Sequence, residues 1–321
     1  MSLGIPKYTY TKGLHDLGNG AYAWLQPDGG WGWSNAGLIV DGGEALLVDT
    51  LFDVPLTRDM LGAMRAATPA AETIDILVNT HHNGDHCYGN ECCKDAEIIA
   101  HKLAAEAMVK EPPAMLAGFL DMAPELGDLG DFLTQCFGSF DFKNVTQTLP
   151  GTLFETELTR QVGSKTVHLK HVGPAHTPGD ILAYVPQDRT VFTGDILFIE
   201  GHPIMWEGPV ANWIAACDYI LAMDVETIVP GHGPITDKRG VRAVRDYLVY
   251  VAAEAKKRFD AGLSSFDAAM DINMSDYDSW GDGERIAINV ATLYHEFGAT
   301  DAPRDAATLF EQMAAIKKSR H

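Results

Sequence analysis

An apolar segment, residues 74–78, leads through Asn79 into the stretch Thr80-His81-His82-Asn83-Gly84-Asp85-His86. The short apolar run is typical of a buried strand, so the stretch is expected at the carboxyl end of that strand. It holds three imidazoles and one carboxylate within six residues. Because imidazole nitrogen and carboxylate oxygen are ligands that zinc accepts in proteins, this stretch predicts a metal site.

Composition and charge define the class of protein. The chain has 321 residues, 46% hydrophobic and 21% charged, which predicts a globular protein with one large domain or two ordinary ones. Its 44 acidic against 24 basic residues give a formal net charge of −20. Nucleic acid and anionic membranes would repel such a chain, so we expect neither as a partner.

Several absences in the sequence predict a cytoplasmic protein. The five cysteines form no CxxC pair, which favours a reducing compartment over a disulfide framework. The first ten residues lack the apolar core of a signal peptide. No apolar run approaches the roughly 18 residues that a membrane span needs.

The first part of the chain has the pattern of a layered α/β sheet. Strands are expected at Ala21–Leu25, 36–40 and 45–49, and Asp53-Val54-Pro55 is typical of a helix start. The helix would cross back to the strand at 74–78, giving a strand–helix–strand unit. Ligands in such sheets gather at the carboxyl ends of strands, which is where the histidine cluster is expected.

Three later strands end in glycine-containing turns that carry a histidine or an aspartate. Strands expected at 153–162 and 166–172 precede the turn with His176, Thr190–Phe192 precedes Asp195, and Thr227–Val229 precedes His232. Glycine lets the backbone bend tightly at these turns and keeps side chains from crowding a metal.

Taken together, these features resemble the metallo-β-lactamase superfamily, the glyoxalase II-like metal-dependent hydrolases. The matching pieces, in family order, are the strand bearing Asp49, the stretch at 80–86, His176-Thr177-Pro178-Gly179, Gly194-Asp195 and Gly231-His232-Gly233. The resemblance implies an α/β fold, a four-layer αβ/βα sandwich. We expect the catalytic domain at 15–235, with a helical insertion at about 101–145, and a helical extension at 236–321.

The resemblance also implies a metal site with one or two zinc ions, with iron or manganese as alternatives. The implied ligands are His81 and His176 for the first metal, Asp85, His86 and His232 for the second, and Asp195 bridging both. The family pattern His-x-His-x-Asp-His has Asn83 at its second histidine in this chain. Because an amide oxygen is a weak neutral donor, the first site would be looser, empty or completed by a neighbour such as His82.

A bound zinc ion can lower the pKa of water from 15.7 to about 7 and polarise a carbonyl oxygen. The resemblance therefore implies a hydrolase that uses a metal-activated hydroxide on an ester, lactone, thioester or amide of a small, partly apolar substrate. Asp85 and Asp195 are the expected catalytic residues, as ligands that also hold the nucleophile. Asn83 leaves an alternative open, a lyase or an iron-dependent oxygenase on the same fold.

Four residues are candidates for substrate binding. Trp31 and Trp33 lie in a glycine-rich loop, where they either grip a ligand or cover the sheet edge. His202 and Trp206 follow the strand that bears Asp195, where they either reach the substrate or pack within the loop.

Two helical segments are expected around the catalytic part. The insertion is either a cap over an apolar pocket or an extra packed helical pair. The helices after residue 235 either close one side of the pocket or form the interface of a homodimer.

Overall fold

Two β-sheets form the centre of the protein in the computed structural model, which describes residues 2–319. The strands of the first sheet, in spatial and chain order, are β1 (Gly13–Gly18), β2 (Ala21–Leu25), β3 (Ala36–Asp41), β4 (Glu44–Val48), β5 (Ile76–Val78), β6 (Glu97–His101) and β7 (Thr152–Phe154). β1 to β4 pair antiparallel, and β4 to β7 pair parallel.

The second sheet lies against the first. Its strands are β8 (Glu157–Val162), β9 (Lys165–His171), β10 (Ile181–Val185), β11 (Thr190–Phe192) and β12 (Thr227–Val229). They lie in the order β12-β11-β10-β9-β8, with β11 and β12 parallel and the other neighbours antiparallel.

Helices surround the two sheets. They are α1 (Val54–Ala67), α2 (Gly84–Cys87), α3 (Lys102–Lys110), α4 (Pro113–Met122), α5 (Asp128–Phe137), α6 (Val210–Ala222), α7 (Lys238–Asp260), α8 (Ser265–Asp271), α9 (Ile286–Glu296) and α10 (Ala306–Ser319). Residues 320 and 321 of the predicted extension lie outside the described residues. Within residues 2–319, no helix combines the length and the apolar character needed to cross a membrane.

Successive buried side chains of a strand point to opposite faces of its sheet, and this alternation produces the layers. On β3, Leu38 packs towards α1 while Ile39 packs between the sheets, and on β4 Leu47 and Leu46 divide in the same way. Successive strand residues face opposite sides of a sheet, so a strand that is apolar on both faces is buried on both. With α6 and α7 against the outer face of the second sheet, four layers result, which confirms the predicted sandwich.

The helix start at Asp53 is confirmed. The Asp53 carboxylate accepts a hydrogen bond of 2.8 Å from the backbone N–H of Leu56, and Pro55 lies in the first turn of α1. An aspartate cap of this kind satisfies a backbone donor that has no partner within the helix.

The prediction of a single strand at 153–162 is wrong, because two strands occupy this segment. The chain leaves the first sheet after β7 and enters the second at β8, with residues 155 and 156 between them. The His101 ring bonds the carbonyl of Glu155 at 2.8 Å, and the N–H of His171 bonds the carbonyl of Thr156 at 2.9 Å. The hydrogen-bond partners of residues 155 and 156 are therefore distant in sequence. For this reason the local sequence pattern does not show where one strand ends and the next begins.

Candidate metal centre

The predicted ligands meet at one edge of the sandwich, where strands of both sheets end. The stretch at 80–86 follows β5, and its last part forms the short helix α2. His176 lies between β9 and β10, Asp195 follows β11, and His232 follows β12. Gly194, between β11 and Asp195, has φ of +48°, and a Cβ there would lie 2.4 Å from Thr80 Oγ1. Glycine is therefore required where the two loops meet.

Six buried side chains form two adjoining groups. Within each group, one potential ligand atom per residue lies within 4.8 Å of the others, and the groups are His81, His176 and Asp195, and Asp85, His86 and His232. Asp195 Oδ2 lies 3.3 Å from Nε2 of His176 and 3.4 Å from Nε2 of His232. The Asp195 carboxylate thus stands between the two groups.

The unpaired atoms of this cluster fit a divalent metal. Nε2 of His81, Nε2 of His86 and Oδ1 of Asp195 are buried and have no hydrogen-bond partner among the described residues. The contact of 3.1 Å between His86 Nε2 and Asp195 Oδ1 lacks the alignment of a hydrogen bond. Burying a polar atom unpaired costs about 1–3 kcal/mol, and a cation that accepts these lone pairs removes that cost. The set of imidazoles and carboxylates is one that zinc accepts.

Asp49 fixes the orientation of this centre. Its carboxylate accepts hydrogen bonds of 2.7 Å from both the N–H and the hydroxyl of Thr80, and it lies 2.9 Å from Nδ1 of His86. A carboxylate at Nδ1 leaves Nε2 of the same ring free for a metal. Asp49 has φ of +64°, a left-handed conformation that aspartate tolerates better than most residues.

Backbone carbonyls orient two more of the imidazoles. His176 Nδ1 lies 2.6 Å from the carbonyl of Ile204, and His232 Nδ1 lies 3.0 Å from the carbonyl of Gly29. An N–H donated to a carbonyl sets the tautomer that presents Nε2 to the cluster.

Charge within the cluster is uneven. Burial alone would lower the pKa of His232, but the carboxylates of Asp195 and Asp85 together outweigh burial and raise the pKa to about 9. His86 behaves in the same way, and its pKa lies well above the ordinary value. Burial lowers the pKa of His176 to about 4 and that of His81 well below its usual range. His232 and His86 therefore hold protons that a metal has to displace.

Asn83 and His82 lie on different sides of the loop. Asn83 Oδ1 is 2.8 Å from His176 Nε2, beside the first group of ligands. His82 Nε2 is 3.3 Å from Glu111 Oε1, and His82 belongs to neither group. The amide of Asn83, and not the imidazole of His82, therefore faces the first group.

Two supporting residues were not predicted from the sequence. Asp180 accepts hydrogen bonds from the N–H of Thr177 at 2.8 Å and its hydroxyl at 2.6 Å, which fixes the turn that carries His176; burial raises the pKa of Asp180 to about 7. Asn35 donates to the carbonyls on either side of His232, at Pro230 and Gly233. The only sequence signal for Asp180 is its place at the end of the His176 turn.

A cavity of about 800 Å³ opens onto the cluster, and Asp85, His176, Asp195 and His232 are in its lining. The predicted insertion contributes wall residues through α4 and α5, and α9 and α10 contribute further wall residues. Most of the wall residues are aromatic or aliphatic; examples are Met115, Phe119, Phe137, Ile288, Leu309 and Phe310. The cavity therefore combines apolar walls with a polar floor of predicted ligands.

The four predicted substrate contacts divide into two pairs. Trp31 and Trp206 line the cavity, with Phe310 packed against both rings. Trp33 and His202 are not among the described lining residues. The ring of Trp33 packs on Phe140, with ring centroids 4.8 Å apart, and buried His202 lies beside Tyr247 and Trp280. The structure therefore does not place Trp33 or His202 against a cavity ligand, because packing occupies both side chains.

Comparison with known proteins identifies the family. The sequence profile of the metallo-beta-lactamase superfamily matches residues 29–232, and the chain belongs to this superfamily. Over 193 residues, it is 26% identical to hydroxyacylglutathione hydrolases of Brucella ovis and Brucella abortus. That match covers 60% of this chain and 59% of each relative's length.

Solved structures confirm the fold. The inverting sec-alkylsulfatase Pisa1 from Pseudomonas matches with a TM-score of 0.66 at 18% identity, over 90% of this chain and 50% of its own. A metallo-beta-lactamase from Pontibacter korlensis matches with a TM-score of 0.57 at 16% identity, over 74% of this chain and 99% of its own. The first match covers more of this chain than the second.

Proposed function

We propose that the protein is a metal-dependent hydrolase of an ester, lactone, thioester or amide bond in a small, partly apolar substrate. The observation that supports this most strongly is the pair of buried ligand groups around Asp195, at the floor of an apolar cavity of about 800 Å³. Bound zinc would supply a water of lowered pKa and an electrophile for the carbonyl oxygen.

The chain's own residues have separate roles in this proposal. His81, His176 and Asp195 would hold a first metal, and Asp85, His86 and His232 would hold a second, with the Asp195 carboxylate standing between the two groups. Asp85 and Asp195 also accept hydrogen bonds from the attacking water and so orient it. The apolar walls exclude bulk water, which strengthens electrostatic interactions at the floor.

The walls indicate what the substrate looks like. Trp31 and Trp206 offer aromatic faces to an apolar group close to the ligand cluster. The sequence relatives are named for hydrolysis of hydroxyacylglutathione, so we include that compound among the substrates to be tested.

Metal analysis tests the proposal first. Protein purified without added metal should contain one or two zinc ions per chain, and Asp85→Ala and His232→Ala should each lose most of the metal and the activity. His168→Ala is the matched control, because His168 is exposed on β9, away from the cluster. Full metal content and full activity in both site variants would refute the assignment. A screen of ester, lactone, thioester, amide and β-lactam substrates then identifies the bond.

Asn83 supports a second candidate, a lyase or an iron-dependent oxygenase. Its amide stands beside His176, where the family pattern has a histidine, so the first group offers fewer strong ligands and more open positions, as iron oxygenases require. Iron in place of zinc, with dioxygen consumption and no hydrolysis, would favour this candidate.

A further inference from the structure

Arg285 is a buried cation in the wall of the cavity. It precedes α9, is 2% exposed, and lines the cavity. Its guanidinium carbon lies 4.6 Å from the centre of the Trp31 ring and 5.1 Å from that of Phe198. An arginine is seldom fully buried without partners that match its charge.

The partners of Arg285 do not use all of its donors. Nη1 donates a hydrogen bond of 2.9 Å to the carbonyl of His202, and Nη2 lies 3.0 Å from Asp282 Oδ2. Nε is buried and has no hydrogen-bond partner among the described residues. A guanidinium offers five N–H donors in a planar fork that suits oxyanions, and an unmatched charged donor is costly.

Arg285 lies close to the metal centre. The Phe198 ring that it contacts also stacks on the His232 ring, with centroids 5.0 Å apart and planes 4° from parallel. The guanidinium is therefore within about 10 Å of the His232 ring, the sum of the two ring separations. This spacing allows several bonds between a group at Arg285 and a bond reacting at the metals.

Asp282 offsets part of the charge of Arg285, while the apolar part of its surroundings leaves that charge weakly screened by solvent. Trp31, Phe198 and Ile288 are apolar neighbours in the cavity wall, and an apolar wall weakens the screening of charge. Lys110 and Arg304 also line the cavity, but both are exposed to solvent. Away from the ligand cluster, an anion in contact with this wall of the cavity would therefore meet Arg285 as a buried cation.

We infer that Arg285 binds an anionic oxygen group of the substrate, a carboxylate or a sulfur oxyanion, several bonds from the scissile bond. The inference rests on the proposed function and narrows its substrate class to amphiphilic anions, with an apolar body against the aromatic walls. Arg285 thus determines specificity, and the metal centre performs the reaction.

The test is binding of three unreactive probes by isothermal titration calorimetry, with metal-loaded and EDTA-treated protein. Octanoate, octane-1-sulfonate and neutral octanamide share an apolar chain and differ in the head group. We expect the better anion to bind at least ~10-fold more tightly than octanamide, with or without metal, since a charge-assisted hydrogen bond is worth that much. The anion that binds more tightly, octanoate or octane-1-sulfonate, identifies the kind of head group that Arg285 prefers.

Variants then test whether Arg285 causes the preference for an anionic head group over octanamide. Arg285→Met should remove it and leave octanamide binding unchanged, whereas the control Arg304→Met should change anion binding less than threefold, because Arg304 is exposed. If Arg285→Met does not fold by circular dichroism, Arg285→Lys replaces it, and the loss of the planar fork should weaken anion binding by at least threefold.

Three results would overturn the inference: no measurable anion binding at millimolar concentration, equal affinity for octanoate and octanamide in the wild type, or an anion preference unchanged in the Arg285 variant. Metal content separates this failure from failure of the proposed function. A wild type that binds no metal would refute the hydrolase, whereas the EDTA-treated protein still reports on Arg285.

Discussion

Gly231 offers a sharp test of the shared position of Asp195. A Cβ built on Gly231 would lie 1.9 Å from Asp195 Oδ1 and 2.7 Å from the carbonyl carbon of Gly194. A relaxed carbon–oxygen contact is about 3.3–3.6 Å, so the Gly231→Ala methyl would force a movement of more than about 1 Å.

The backbone around Gly231 is held on both sides. Its N–H donates to the Gly194 carbonyl at 2.8 Å, and its own carbonyl accepts from the N–H of Asn35 at 2.7 Å. The Asp195 carboxylate therefore has to move, and it leaves its place between His176 and His232. Overpacking of a tight site costs about 1–3 kcal/mol of folding stability.

The assay is metal stoichiometry by inductively coupled plasma mass spectrometry, after equilibration with zinc at a fixed free concentration. We expect Gly231→Ala to retain half of the wild-type zinc or less. Gly201→Ala is the matched control, since a Cβ there has no atom within 4 Å and the residue does not have a left-handed φ. It should retain all of the zinc and unfold at or slightly above the wild-type temperature. Wild-type stoichiometry in Gly231→Ala would refute the placement of Asp195 between two metals.

Three further changes test other parts of the centre. Asp49→Asn should weaken zinc binding about 10–100-fold in a chelator competition, because an amide cannot accept from both Thr80 and His86; unchanged affinity would contradict the role of Asp49. Asn83→His should raise the zinc content of the first group, and constant stoichiometry would mean that another residue already supplies the ligand. Zinc affinity should rise with pH up to about 9, the pKa of His232, because only the neutral imidazole binds metal. Calorimetry in two buffers of different ionisation heat measures the released protons, and none at pH 7 would contradict this.

Local sequence pattern indicated a layered α/β sheet with a histidine cluster at the end of a strand, and the family resemblance supplied the four-layer sandwich and the six predicted ligands. Strands such as Ala21–Leu25 and Thr227–Val229 have the bounds that the sequence predicts, because their apolar runs are bounded by turn residues. The ligands could be located because each lies in the turn or loop after a strand, at the edge where strand ends meet. Such signals are contained within a few residues.

Features made by distant segments were not predictable in this way. The edge strand β1 (Gly13–Gly18) is half exposed and its residues alternate only weakly between apolar and polar, so no sequence pattern indicates it. The break between β7 and β8 depends on which sheet each strand joins. Arg285 stands out only through contacts with Trp31 and Phe198, which are far from it in sequence.

The predicted metal ligands and many of the residues that form the cavity wall lie in different parts of the chain. The family profile ends at residue 232, whereas Arg285 and Phe310 lie beyond it. Glu284 connects these regions, because its carboxylate accepts a hydrogen bond of 3.1 Å from the Trp31 indole and pairs with Lys317 of α10 at 3.3 Å. Because the helices beyond residue 232 complete the pocket, proteins alike only over the profile can share the metal centre while binding other substrates. The substrate of this chain is therefore better sought through Arg285 and the apolar walls than through the names of its relatives.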